Sequence, residues 1–342
     1  MVHLRIVAPE GAAEPALELL QGSGSVSNVI VLEGAARKPA GDVILCDVAR
    51  EDASVIIDDL RELGIPEHGS IAMEFVDTEI SDAADQAVEH AQGLASDAVI
   101  WEDVERRSEE MTELSLTFMA FMVLSMLIAA VGIFLDQPIL IVGAMVIGPE
   151  FGPLAGLCVA VVEKRPGLVR RSLLALGLGF PIGIVVTVIV TVALNGVGLV
   201  PDGFDPREHP LTNFISQPDF FSFFVALIAG TVGVVSLTSA KSSALVGVLI
   251  SVTTIPAAAN VGVAAALEAW SVTGGAAAQL GINLAAIVLA GVGVLYLQRR
   301  FYLRRRRRHR SDPVREAAGL PMGRSPKSVV LGSPPSDART QR

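Results

Sequence analysis

Glu150 stands inside the run QPILIVGAMVIGPEFGPLAGLCVAVV of residues 137–162, which is long and apolar enough to cross a bilayer. An ionised acid at that depth costs about 3 kcal/mol or more, so such residues face a cavity, a partner or an ion path. Gly148, Pro149, Gly152 and Pro153 flank it. Proline removes a helix hydrogen bond and glycine loosens the backbone, so the cluster breaks the helix beside the acid. Broken backbone is tolerated there only where protein or water covers it.

The second half of the chain carries a related segment. A shift of 104 residues lays Val142–Gly143 on Val246–Gly247, Ala160 on Ala264 and Leu176–Gly177 on Leu280–Gly281. On the same shift Glu150 falls on Thr254, Gly152 on Pro256 and Gly156 on Asn260. A breaker and polar groups therefore recur at matching depth, as GPEFGP and as TTIPAAAN. The chemistry this supports is ion or polar-solute binding. Freed carbonyl and N–H groups at two broken helices can ligate an ion. A desolvated Glu150 can take up and release a proton near neutral pH. Thr253, Thr254 and Asn260 supply neutral ligands. No Lys, Arg or His lies within these two segments to neutralise Glu150, so a proton, a cation or a cationic solute is the expected partner. The competing reading makes Glu150 a protonated acid that caps freed backbone groups, and makes Pro256 and the glycines close-packing positions.

Six segments qualify as spans: about 115–135, 138–162, 171–194, 220–237, 243–267 and 276–297. The predicted fold is a polytopic α-helical membrane protein of two three-helix repeats, about 115–194 and 220–297. Three spans is an odd number, so the second repeat enters the membrane from the opposite side. Basic and acidic loops alternate: Lys164, Arg165, Arg170 and Arg171 follow the second span, Asp202, Asp205, Glu208 and Asp219 follow the third, Lys241 follows the fourth and Glu268 the fifth. That places both termini in the cytoplasm of a multi-pass cell (inner) membrane protein.

Hydrophobic residues make up 51% of the 342, too many for an ordinary soluble chain of this length. Charge is partitioned. Residues 1–113 carry 25 acids and 7 bases, residues 114–298 carry 8 acids and 6 bases, and residues 299–342 carry 3 acids and 13 bases. The head, residues 1–80, reads as strands at 2–8, 26–32, 42–49 and 70–76 with helices at 12–21 and 52–63. This is the βαββαβ order of an α+β ferredoxin-like domain, with its acids on a solvated face. Residues 81–114 read as a charged helical connector, 115–298 as the membrane domain and 299–342 as a polybasic cytoplasmic tail, disordered from 311. Arg304–Arg308 abut a span, so anionic lipid headgroups are their expected partner rather than nucleic acid. Cys46 and Cys158 offer no metal spacing or disulfide framework, all five histidines lie outside the spans, and no cofactor is expected.

The head, GAMVIGPEFGP, VGVLISVTTIPAAANVG and the loop VEKRPGLVRRSL are together similar to the hydrophobic bacterial and archaeal proteins grouped as domain of unknown function 389. The resemblance covers about residues 2–297. The acidic head and Arg-rich tail resemble its actinobacterial branch. The resemblance implies architecture and carries no activity. The sequence thus predicts a secondary transporter or channel-like protein for an unidentified small solute or ion. The alternative is a membrane-anchored sensor or scaffold that acts through the head. No HExxH, GxSxG or paired intramembrane aspartates are present, so no enzyme is expected. Pairing of heads through the sheet would make a homo-oligomer.

Overall fold

The computed structural model describes residues 1–76, 78–91, 98–201, 203–207, 219–239 and 254–321. They form two compact units, one built from Met1–Ala91 with the chain from Tyr302 onward, the other from Gln92–Phe301.

The first unit holds β1 (Val2–Ala8), α1 (Ala13–Gly22), β2 (Val26–Arg37), β3 (Ala40–Val48), α2 (Arg50–Glu62), the single turn α3 (Ile65–His68), β4 (Ser70–Phe75) and α4 (Asp82–Ala91). Alternation in β1 turns Val2, Leu4, Ile6 and Ala8 to one face, and all four are fully buried. β1 lies inside an antiparallel sheet of order β2-β3-β1-β4, with Leu4 opposite Cys46 on β3 and Met73 on β4. Leu19 and Leu20 of α1 and Ile56 and Leu60 of α2 complete a core with no solvent exposure. β2 continues five residues past the expected end.

The unit is closed by the C-terminal segment, which corrects two expectations. The last part of helix α12 (Trp270–His309) and the short α13 (Pro313–Ala317) belong to it. Arg305 bonds Asp52 at 2.8 Å, Arg306 bonds Asp58 at 3.0 Å, His309 meets Asp59 at 2.8 Å and Arg310 meets Glu62 at 2.6 Å. Arg315 is 1% exposed and pairs with Asp59 and Glu62. Tyr302 donates to Asp58, and Val314 fills the space left by the missing side chain of Gly22. Residues 311–321 are therefore ordered rather than disordered, because α2 offers a basic segment the counter-charge it lacks alone. The α2 acids are not merely solvated either. Arg305 and Arg306, expected at lipid headgroups, have carboxylate partners inside the unit, while Arg304, Arg307 and Arg308 are on the exposed side.

The second unit holds α5 (Trp101–Met111), α6 (Leu116–Phe134), α7 (Pro138–Ile147), α8 (Phe151–Val162), α9 (Pro166–Gly196), α10 (Phe220–Thr238), α11 (Ile255–Ala266) and α12 up to Phe301. Helices α6, α9, α10 and α12 are each long and apolar enough to span a bilayer, and α7 with α8 makes a fifth apolar element bent by 53°. They turn Ile139, Ile189, Phe220, Phe221 and Leu289 outward, each more than half exposed. So much exposed apolar surface is sustainable in lipid, and the unit is membrane-embedded. The first half of the expected fifth span lies outside the described residues.

Helix ends in this unit recur at one spacing. Moved 104 residues along, Leu116–Phe134 becomes the bounds of α10, Phe151–Val162 becomes those of α11, and Pro166 becomes Trp270, the start of α12. The caps follow: Ser115 accepts from the amide of Phe118, and Asp219 accepts from that of Ser222. So do the turns, where Lys164 has φ 55° and Glu268 φ 58°.

Candidate functional site

α7 stops at Gly148 and α8 starts after Glu150. The break is local chemistry: Pro149 cannot donate a helix hydrogen bond, and Pro153 suits the first turn of a new helix. Glu150 is fully buried. It occupies the N-cap position of α8, yet its side chain makes no capping hydrogen bond.

Glu150 Oε1 accepts a 2.7 Å hydrogen bond from Thr254 Oγ1, across 104 residues of chain. Thr254 is also fully buried and also precedes a helix, α11, whose first turn holds Pro256. The two residues that the sequence offset superposes are thus in contact. The starts of two helices thus meet at one carboxyl, each with the positive end of its dipole.

Other predicted residues divide. Asn260 is 4% exposed on α11, and its Oδ1 has no hydrogen-bond partner among the described residues. Gly152 is closely packed: a Cβ there would strike the Met111 backbone of α5. Gly156, one turn on, is pressed against Thr112 and Ser172. Thr253 lies outside the described residues.

The sequence reading had α5 as part of a charged helical connector and missed its packing. Trp101, Val104, Ser108 and Thr112 are all buried, and the glycines of α8 receive this helix. Their spacing of three and four was the available signal, hidden by the seven charged residues of the segment WEDVERRSEE. It also missed Gln279, 3% exposed, whose amide donates at 3.5 Å to Asn283 one turn away on α12.

Packing between the halves is reciprocal. α11 packs on α6, α7 and α9 in one cluster, with Ile255, Ala258 and Val263 among Met122, Met126 and Ile141. Leu154 of α8 packs with Ala226 and Ala229 of α10 and with Ala286 and Ile287 of α12. Individual contacts repeat on the same shift. Gly183 receives Met126, and Gly230 sits against Ile287; Gly262 sits against Thr187, and Gly291 against Cys158.

Residues 145–289 match the family described as Domain of unknown function (DUF389). An uncharacterized protein of Methanocaldococcus jannaschii is 26% identical over 206 residues, which cover 60% of this chain and 60% of the archaeal protein. No solved structure matches the chain. The matched region contains Glu150, Thr254 and the helices that follow them, and over it the chain is similar to the DUF389 family.

Proposed function

We propose that this chain is a secondary transporter or channel-like protein for a small solute or ion, with Glu150 as its proton or cation site. The observation that carries the reading is the buried hydrogen bond between Glu150 and Thr254, which joins the starts of α8 and α11. The membrane body is then six crossings in two inverted three-helix repeats. Support comes from helix bounds, caps and turns that coincide on a shift of 104 residues, and from contacts that recur in pairs. In such repeats, discontinuous helices meet near the midplane and form the site. Gly148, Pro149 and Pro153 hold the break open, Pro256 starts the second half-helix, and Asn260 is a neutral ligand. The head, proposed as ferredoxin-like on its strand order β2-β3-β1-β4, lies in the cytoplasm with the tail and regulates the body. The outward face of Arg304, Arg307 and Arg308 meets anionic headgroups.

The test is flux. Purified protein in liposomes is given a pH jump across a panel of ions and small solutes, and charge movement is recorded. Glu150→Gln keeps the shape and loses the titratable oxygen, so flux should vanish while the fold persists. Unchanged flux in the variant would remove Glu150 from the path. No flux from folded wild-type protein would shift the function to a sensor or scaffold role of the head.

A further inference from the structure

The two halves of the membrane unit make the same turn with different residues, and the difference is a buried acid. After α8 the chain turns through Glu163 and Lys164, with Arg165 N bonding Ala160 O at 2.9 Å. After α11 it turns through Leu267 and Glu268, with Ala269 N bonding Ala264 O at 2.9 Å. The backbone conformation matches at the second turn residue, φ 55° against 58°. Leucine at the first position is sufficient for the turn. The Glu163 side chain is nonetheless only 7% exposed and bonds Arg299 of α12 at 2.8 Å. Its other oxygen, Oε1, is buried with no hydrogen-bond partner among the described residues. A buried acid that the fold does without in its own second copy is there for another reason.

The groups around it tie three elements together. Arg299 lies over the Trp101 ring of α5 at 4.9 Å. Arg165 bonds Glu105 at 3.4 Å and Glu109 at 2.7 Å, both on α5. Glu102 and Glu105 repel the acid, while Arg299 and Arg165 attract it. From this end α5 runs along α8 to Gly156 and Gly152, where Thr112 and Met111 occupy the space of the missing side chains. Gly152 is two residues from Glu150. α5 is therefore a clamp on the half-helix that carries the site, fastened at the far end by charge.

We propose that Glu163 is a positioning residue for Glu150: as a carboxylate it holds Arg299 and Trp101 and keeps α5 clamped on α8, and on taking a proton it releases them and frees α8 to move. This rests on the reading of Glu150 as the transport site for its purpose, but not for its chemistry. Burial pushes the Glu163 carboxyl up to about 7, against the pull of Arg299. The catch thus titrates near neutrality, where a small change in pH alters its state.

Trp101 reports on the catch directly. The chain has one other tryptophan, Trp270, 68% exposed, and Trp270→Phe leaves Trp101 as the sole emitter. The full chain in nanodiscs is titrated from pH 5 to 9. Trp101 emission is expected to follow one transition with its midpoint near 7. The transition should disappear in Glu163→Gln and in Glu163→Leu, and persist in Glu150→Gln. The leucine variant uses the residue that already serves at position 267, which guards against a mere folding failure. At pH 8, amide exchange in α5 should be about tenfold faster in Glu163→Gln than in wild type. A transition that survives removal of Glu163, a flat wild-type profile, or unchanged exchange would each overturn the proposal. The two readings fail separately. Wild-type flux in Glu150→Gln with an intact Trp101 titration would leave a pH-sensitive catch serving another site. Flux lost in that variant, with a titration indifferent to Glu163, would leave the transport site without this catch.

Discussion

The starts of α8 and α11 share a scaffold and differ in chemistry. Each begins with a proline in its first turn region, and each packs into the other half's helices. One is preceded by an acid and the other by a threonine, and those two residues bond each other. At the opposite ends the contrast recurs as Glu163 against Leu267. Geometry is duplicated and charge is not. Duplicated geometry brings two helix N-termini together. Of the two helices, only α8 is flanked by an acid at each end, Glu150 and Glu163.

The packing contacts give the sharpest way to break this comparison. A Cβ at Gly230 would lie 2.6 Å from the Ile287 backbone, whereas one at Gly183 would meet the flexible end of Met126. Backbone cannot yield as a thioether can. Gly230→Leu should cost about 3 kcal/mol and Gly183→Leu about 1 kcal/mol, measured by thermal unfolding in detergent. The double variant Gly230→Met with Ile287→Gly rebuilds the first half's pairing in the second. It should regain at least half of the loss of a Gly230→Met single variant. No recovery would mean that the matching contacts are coincidental.

Glu163→Leu makes the two turns alike and should act through pH. The acid rises from 4.5 to about 7 on burial, so the folded chain holds this proton more tightly than the unfolded one. Its stabilising contribution is complete below about pH 4.5 and is lost as pH rises towards 7. Wild-type protein should therefore lose up to roughly 3 kcal/mol over that interval through this group. Glu163→Leu should lose that much less, which parallel melts at pH 5 and pH 8 would measure.

Much of this was legible in the chain because its causes are local. The break at Gly148–Pro153 follows from residues that disturb helices wherever they stand, and the helix edges at Leu116 and Phe220 follow from hydropathy. Helix α9 begins five residues before the expected 171, at Pro166, because Arg170 and Arg171 count as loop charges in a sequence. In the fold they stand exposed on the first turns and reach outward. The partners of α5 and of the tail were not legible. Charge composition says that α2 and residues 302–315 carry opposite signs; it does not say that they meet. The contact between Glu150 and Thr254 lay between the two cases. The offset gave the register of both residues, and only the tertiary packing brought them within a hydrogen bond.

That bond is the next test. Thr254→Val removes the donor and leaves Glu150 in place, so it should cost about 2 kcal/mol, the loss of a hydrogen bond to a buried acid. In a cycle with Glu150→Gln, the coupling should be about 1–2 kcal/mol. A coupling near zero would mean that the two helix starts are held together by packing alone.

The smallest effects expected are at the caps, and they probe the duplicated scaffold without touching its charges inside the membrane. Ser115 Oγ accepts from Phe118 N at 3.0 Å, and Asp219 accepts from Ser222 N at 2.7 Å. Each satisfies one orphan amide at the start of a spanning helix. Ser115→Ala should cost about 1 kcal/mol, and Asp219→Ala should also lower the melting temperature. The aspartate should lose slightly more at low ionic strength, since its charge also meets the helix dipole. Adding salt should reduce the Asp219 effect and leave the Ser115 effect unchanged. Unequal losses that persist at high salt would show that the two helix starts bear different loads, and that the resemblance of the halves ends at their backbones.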